Sequence, residues 1–273
     1  MAFCGYRKKI VFAWVAFAML LLIGSAQATA AELINIQFQS TGPYNPEAPA
    51  YTGAAVIGGA GDAWNHITAA SGTDVSLRNS KGGTAGTGAT MSWGGSGLFS
   101  GYNNSYSNSF GGGTYDALMN SYLYLSGGTE AVPQVAQTIS FNQLAANTSY
   151  DLYVYTEGAH DAAGRNLSIT INGNTITTTH ASGTTNTGTF VEGENYIKFT
   201  GVASNSGALS FTYKGVGLGN TGGKPGEANI NGIQLRQPSQ TVPEPSTFVL
   251  MGIGGMLIAF RLKKSPPLHL SVF

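Results

Sequence analysis

The 273-residue sequence carries thirteen basic and thirteen acidic residues and one cysteine, Cys4, but its formal neutrality sums over unlike parts. Six of the basic residues (Arg7, Lys8, Lys9, Arg261, Lys263 and Lys264) lie near the two ends, which leaves residues 31–241 with seven bases against twelve acids. A body of net charge −5 is a poor partner for nucleic acid, which needs a basic face, and a body without cysteine has no disulfide framework, thiol nucleophile or thiolate metal site.

In chain order, the first segment is an address. Arg7, Lys8 and Lys9 precede an apolar run from Ile10 to Ile23, and small residues follow up to Ala30. A basic region, a short apolar core and an Ala-x-Ala site make a secretory signal peptide over residues 1–30, with cleavage after Ala28 or Ala30. Fourteen apolar residues are few for a permanent span, which needs about 20. The segment implies the Sec translocon and signal peptidase as partners, and Cys4 leaves with it.

Residues 31–241 read as one large all-β domain. Period-two or β-branched and aromatic runs predict strands at Ile34–Phe38, Val75–Arg78, Thr90–Trp93, Tyr122–Leu125, Thr138–Phe141 and Tyr150–Tyr155. Further strands are expected at Leu167–Ile171, Thr175–Thr179, Tyr196–Thr200, Ala208–Tyr213 and Ile230–Leu235. Asn172-Gly173, inside "LSITINGNTITTT", supplies the positive φ angles of a two-residue hairpin. In "YDLYVYT", Leu152 and Val154 face one way and Tyr153 and Tyr155 the other, so that strand has an aromatic second face. The Gly-rich stretch 82–113 predicts one strand near Met91–Trp93 and then a long, partly flexible loop. No amphipathic helix stands out and no fixed-period repeat occurs. About eleven short strands with turn residues between them predict a jelly-roll-like β-sandwich.

The last part is composite. Phe248 to Phe260 are all apolar or Gly. Thirteen residues in a helix cover about 20 Å, short of a hydrocarbon core of about 30 Å. The segment is therefore a short transmembrane helix of the holding kind. Arg261, Lys263 and Lys264 come next as a membrane stop that stays cytoplasmic. The signal peptide's basic end also starts there, so everything between the two lies outside. Before the helix stand Val242, Pro243, Glu244 and Pro245. The prolines disfavour helix and keep this tetrapeptide extended, with Ser246 or Thr247 able to cap the apolar helix.

Residues 242–264 resemble the PEP-CTERM protein-sorting signal of Gram-negative bacteria, through the Val242–Pro245 motif, the Gly-containing apolar helix and the basic cluster. The resemblance implies recognition by an exosortase, with Glu244 as the motif's acid. It implies transient anchoring in the inner membrane, removal of the helix and delivery to the cell surface or an extracellular matrix. The tail 265–273, "SPPLHLSVF", is longer than the usual pattern.

The body is similar to exported galactose-binding-like and related carbohydrate-binding jelly rolls. The shared features are "AWNHI", "SLRNSKG", "TISFNQLAANTSYDLYVY" and the closing "NINGIQL", and they imply binding to extracellular polysaccharide. Sugar binding needs exposed aromatic rings for the apolar faces of pyranoses. Candidates are Tyr102, Tyr106 and Phe110, in a polar loop where exposure is expected, together with Trp64 and Trp93, for which burial in the core is the expected role. Glu157, Asp161 and Asn166 gather oxygen ligands in one predicted loop and are weak candidates for a structural calcium; a solvated turn is the stronger reading, and no cofactor is expected. His66, His160 and His180 lack metal-ligand spacing, no serine elbow occurs, and no acid pair stands out. The expectation is thus a non-catalytic exported protein that associates with polysaccharide. A purely structural matrix or adhesion protein, or a polysaccharide-acting hydrolase or lyase, are the alternatives.

Overall fold

Alternation in "ELINIQFQ" sets the fold's first strand and its sidedness. Ile34, Ile36 and Phe38 are fully buried on one side, and Asn35 and Gln37 are fully buried on the other. The structure is a computed structural model that describes residues 31–41, 47–100, 110, 113–127, 134–157, 166–179, 188–216 and 226–238. The signal peptide and its cleavage site at Ala28 or Ala30, the sorting segment 242–264 and the tail lie outside these residues. So do Tyr102, Tyr106 and Asp161. Ala31–Pro238 forms one compact unit.

The strands are β1 (Glu32–Phe38), β2 (Asn65–Ile67), β3 (Gly72–Ser76), β4 (Thr90–Trp93), β5 (Gly97–Ser100), β6 (Ser121–Leu125) and β7 (Gln137–Asn142). They continue with β8 (Thr148–Tyr155), β9 (Asn166–Ile171), β10 (Asn174–Thr177), β11 (Tyr196–Ser204), β12 (Leu209–Val216), β13 (Ala228–Ile230) and β14 (Gly232–Gln237). One turn of helix, α1 (Asp116–Met119), precedes β6. A five-stranded sheet has the order β11-β8-β14-β1-β2, a six-stranded sheet β10-β9-β12-β7-β4-β3, and a small third sheet β13-β6-β5.

The two large sheets share one hydrophobic core. The five-stranded sheet contributes Ile34, Ile36, Leu152, Val154, Ile197, Ile233 and Leu235. The six-stranded sheet contributes Met91, Trp93, Ile139, Phe141, Ile169, Ile171, Phe211 and Tyr213. Burial of such side chains, worth about 1.5–3 kcal/mol each, is the main force closing the sandwich. Among the described residues the all-β expectation therefore holds, with strands in several sheets and one turn of helix.

The chain's ends shape the five-stranded sheet. β1 and β14 pair antiparallel in its interior, with Glu32 opposite Gln237. The body thus begins and ends side by side on adjacent strands. β14, the last strand among the described residues, is central, so the sheet cannot be completed until Gln237 is in place.

Three local outcomes refine the sequence reading. The hairpin at Asn172-Gly173 forms with φ +50° and +79°, and Ile171 faces Asn174 across it. The expected strand Ile230–Leu235 is split: Asn231 is fully buried and leaves β13 in the third sheet while β14 joins the five-stranded one. The expected long loop within 82–113 is corrected, because it contains β5, paired with β6. Its glycines concealed it. A Cβ on Gly97 would lie 2.6 Å from the Tyr124 ring, so Gly there permits a close approach, not a loop.

Candidate functional site

The outward side of the five-stranded sheet is set by register. Asn35 on β1, Gln234 on β14, Tyr153 on β8 and Lys198 on β11 stand in one row. Gln37, Gly232, Tyr155 and Tyr196 stand in the next. Amides thus occupy one half of this face and aromatic rings the other.

The amides hold a covering layer made of irregular chain. Gln37 donates from Nε2 to Ala117 O at 2.7 Å and Pro49 O at 3.2 Å, and its Oε1 accepts from Tyr51 N at 2.8 Å. Gln234 donates from Nε2 to Asn35 Oδ1 at 2.8 Å and Ile57 O at 3.1 Å. The Tyr155 hydroxyl donates to Gln234 Oε1 and accepts from Val56 N. Asn35 donates to Ala63 O at 3.0 Å, and Asn231 donates to Met119 O at 2.6 Å. An irregular segment carries backbone groups that must be paired when buried. A carboxamide has two donors and an acceptor oxygen, so it can serve both kinds.

A second aromatic core fills the space beneath this layer. It contains Tyr51, Trp64, Phe110, Leu118, Met119, Tyr153 and Tyr155, with Tyr115, Phe190 and Tyr196 packed against it. Gly232 makes room: a Cβ there would lie 2.9 Å from Leu118 Cδ1 and 3.3 Å from the Trp64 ring. The rings run in sequence. Trp64 and Tyr51 meet edge to face at 5.2 Å, Tyr115 and Phe190 lie 4.6 Å apart, and Phe190 contacts Tyr155 at 5.1 Å. Tyr196 stacks on Tyr153 at 6.4 Å. Such pairs add about 0.5–1.5 kcal/mol each beyond burial. Tyr115, Phe190 and Tyr196 are only half-buried, so their outer surfaces form a short aromatic ridge facing solvent.

Two cations lie near Tyr153, the ring on which Tyr196 stacks. Lys198 Nζ lies 5.6 Å from the Tyr153 ring centroid and the Arg236 guanidinium 6.0 Å from it. Arg236 is paired with Asp151, whose hydrogen bond is the main cause holding the guanidinium above its ordinary value. Burial, and then the nearby Tyr115, push the Tyr51 phenol up to about 12. Burial is also the leading cause raising Tyr155, Tyr196 and the Asp116 carboxyl. Phenols that stay neutral across the ordinary pH range suit a stacking surface.

The sequence-predicted residues divide. Trp64 and Phe110 meet in the second core, at 6% and 0% exposure, whereas Trp93 lies in the first at 7%. The core role expected for the two tryptophans is what the structure has. Trp64 Nε1 donates to Gly53 O at 2.8 Å and Trp93 Nε1 to Ala69 O at 3.0 Å. Phe110 corrects the expectation of exposure: packing against Phe190 and Tyr115 makes it an anchor beneath the ridge. Glu157 is buried at the end of β8, with its backbone N–H on Asn231 Oδ1, and Asn166 opens β9 in the other sheet. Among the described residues no group of three or more His, Cys, Asp or Glu side chains could hold a metal ion. The sequence reading missed Tyr51, Tyr115, Phe190 and Tyr196. The one available signal was the aromatic second face of β8, which must pack against something.

Comparison with known proteins bears on the other end of the molecule. A family profile for the PEP-CTERM protein-sorting motif matches residues 241–264. The match supports export through an exosortase system, with exosortase as the processing partner. It covers a short stretch of the chain and says nothing of the sandwich. No curated protein matches the sequence.

Proposed function

We propose that the acidic β-sandwich is exosortase-sorted cargo which, once at the cell surface or in the extracellular matrix, binds polysaccharide without catalysis as a jelly-roll lectin-like domain. One observation carries the binding half of this reading: the half-buried ridge Tyr115–Phe190–Tyr196, held rigidly over a second aromatic core. Flat rings fixed by packing lose little freedom on binding and offer apolar area to the C–H face of a pyranose. Tyr196 and Glu192, whose side chains lie 3.4 Å apart, add polar groups at its rim for sugar hydroxyls. Stacking area is what this ridge supplies, not a proton donor or a nucleophile.

The test uses the mature protein released by cells and the exopolysaccharide of the same cells. Phe190→Ala and Tyr196→Ala should each weaken binding by about tenfold, the equivalent of one well-packed contact. Unchanged affinity in both variants, or no binding by the wild type to any polysaccharide, would sink the reading. The sorting half has its own check. Glu244→Ala should retain the protein in the inner membrane, and normal release would remove that motif's role.

A further inference from the structure

The six-stranded sheet also has an outward side, and its chemistry is of another kind. Thr138 on β7, Thr212 on β12, Thr170 on β9 and Thr175 on β10 stand in register as one row of four threonines. Beside it run Ser92, Ser140 and Ser210 on β4, β7 and β12. On the other flank stand Lys214, Ser168 and Thr177 on β12, β9 and β10. Their inward neighbours Ile139, Phe141, Ile169, Phe211 and Tyr213 fill the core, which fixes the strands beneath. Thr138, Thr175, Thr177, Ser210 and Thr212 are exposed. At a strand spacing of about 4.8 Å the threonine row is about 14 Å long, and neighbouring rows lie about 6.8 Å apart.

We infer that this hydroxyl-lined face is a docking surface for an uncharged polysaccharide chain laid across the strands. The inference rests on the polysaccharide reading above and adds a second contact face and a charge class. Charge selects the occupant. Among the described residues of these strands only Asp74 and Lys214 carry charge, and they sit at separate margins, on edge strand β3 and towards one end of β12. Asp74 Oδ1 already accepts from Asn142 Nδ2 at 3.2 Å and, at 3.4 Å each, from the Thr90 and Ser92 hydroxyls. An acidic polymer would therefore meet a single lysine, too little to replace its counterions. A protein partner would find no aromatic or aliphatic anchor in the rows themselves. A neutral glycan presents alternating C–H and O–H groups, and threonine offers a methyl and a hydroxyl on one stiff side chain. The Thr170 and Thr175 hydroxyls bond each other at 2.7 Å, and Thr177 donates to Ser168 at 3.2 Å. That pairing fixes one end of the array and leaves the Thr138–Thr212 end to the ligand.

The experiment co-sediments the mature full-length protein with cellulose as the neutral probe, and with alginate as the acidic one. The variants are Thr138→Val/Thr212→Val, which keeps shape and removes two hydroxyls, and Thr212→Glu, which adds charge; Phe190→Ala runs beside them. The inference expects retention on cellulose that added salt does not weaken, little on alginate, and about a tenfold loss in each threonine variant. Circular dichroism identical to wild type guards against misfolding. Loss in Phe190→Ala with full retention in the threonine variants overturns this inference and leaves the ridge reading standing. Wild type that binds neither probe nor the cells' own polysaccharide overturns both. Salt-sensitive binding to alginate alone overturns the charge class. If the threonine variants instead convert an oligomer to monomer without changing glycan retention, the face is an interface between copies and the inference falls.

Discussion

The two large sheets turn polar alternation to opposite ends. On the five-stranded sheet the polar side chains behind the core, Asn35, Gln37 and Gln234, are themselves fully buried. On the six-stranded sheet the corresponding side chains, Thr138, Ser210 and Thr212, face solvent. The residue type carries the difference. A carboxamide reaches out and satisfies both donors and acceptors of an irregular covering segment, as Gln37 does for Tyr51, Pro49 and Ala117. A threonine hydroxyl is short and stays on its own sheet. Here the buried amides Asn35, Gln37 and Gln234 lie under a covering segment, whereas Thr138, Ser210 and Thr212 are exposed.

The largest effect should come from breaking the cover. Gln37→Leu leaves the buried Tyr51 N–H without its acceptor and the part-buried Ala117 carbonyl without its donor; an unpaired buried group costs about 1–3 kcal/mol, so a loss of about 2–3 kcal/mol is expected in urea unfolding. The matching change on the open face, Thr212→Val, should stay within about 0.5 kcal/mol. Equal losses would erase the distinction between the faces.

An intermediate effect should appear in alkali. The Tyr51 phenol is raised from 10.0 to about 12 in the fold. Its contribution to stability is fully present below the unfolded value of 10.0 and is lost as pH rises towards 12. The urea midpoint should therefore fall across that window in the wild type and fall less in Tyr51→Phe. Thr138→Val/Thr212→Val should leave the profile unchanged, since no phenol faces outward in those rows.

The smallest effect concerns Asp116 in α1, whose Oδ1 is buried without a hydrogen-bond partner. Burial raises its carboxyl above 3.8. The folded state then holds the proton more tightly than the unfolded one, so this contribution is largest in acid and is lost as pH rises. Asp116→Asn should be slightly more stable than wild type at neutral pH, with the gap closing as pH falls through the carboxylate range. A gap that widens in acid would contradict the burial assignment.

Much of the fold was legible because period two is a local property. β4 appears at Thr90–Trp93 as the pattern placed it, and the two sides of β8 hold the residues assigned to them. β5 was hidden because its glycine answers to a tyrosine on another strand. Phe110 was misjudged because its polar neighbours suggested exposure, while its burial depends on Tyr115 and Phe190, five and eighty residues away. Tyr115, Phe190 and Tyr196 come from three separated stretches, and no spacing rule joins them.

By itself the sequence determined the β class, the hairpin at Asn172-Gly173 and the sorting segment, because turn chemistry, alternation and a contiguous motif are written in neighbouring residues. Tertiary structure decided which polar face is covered, which rings reach solvent and which threonines align. Those outcomes depend on strand order and register, which bring together residues as far apart as Asn35 and Gln234.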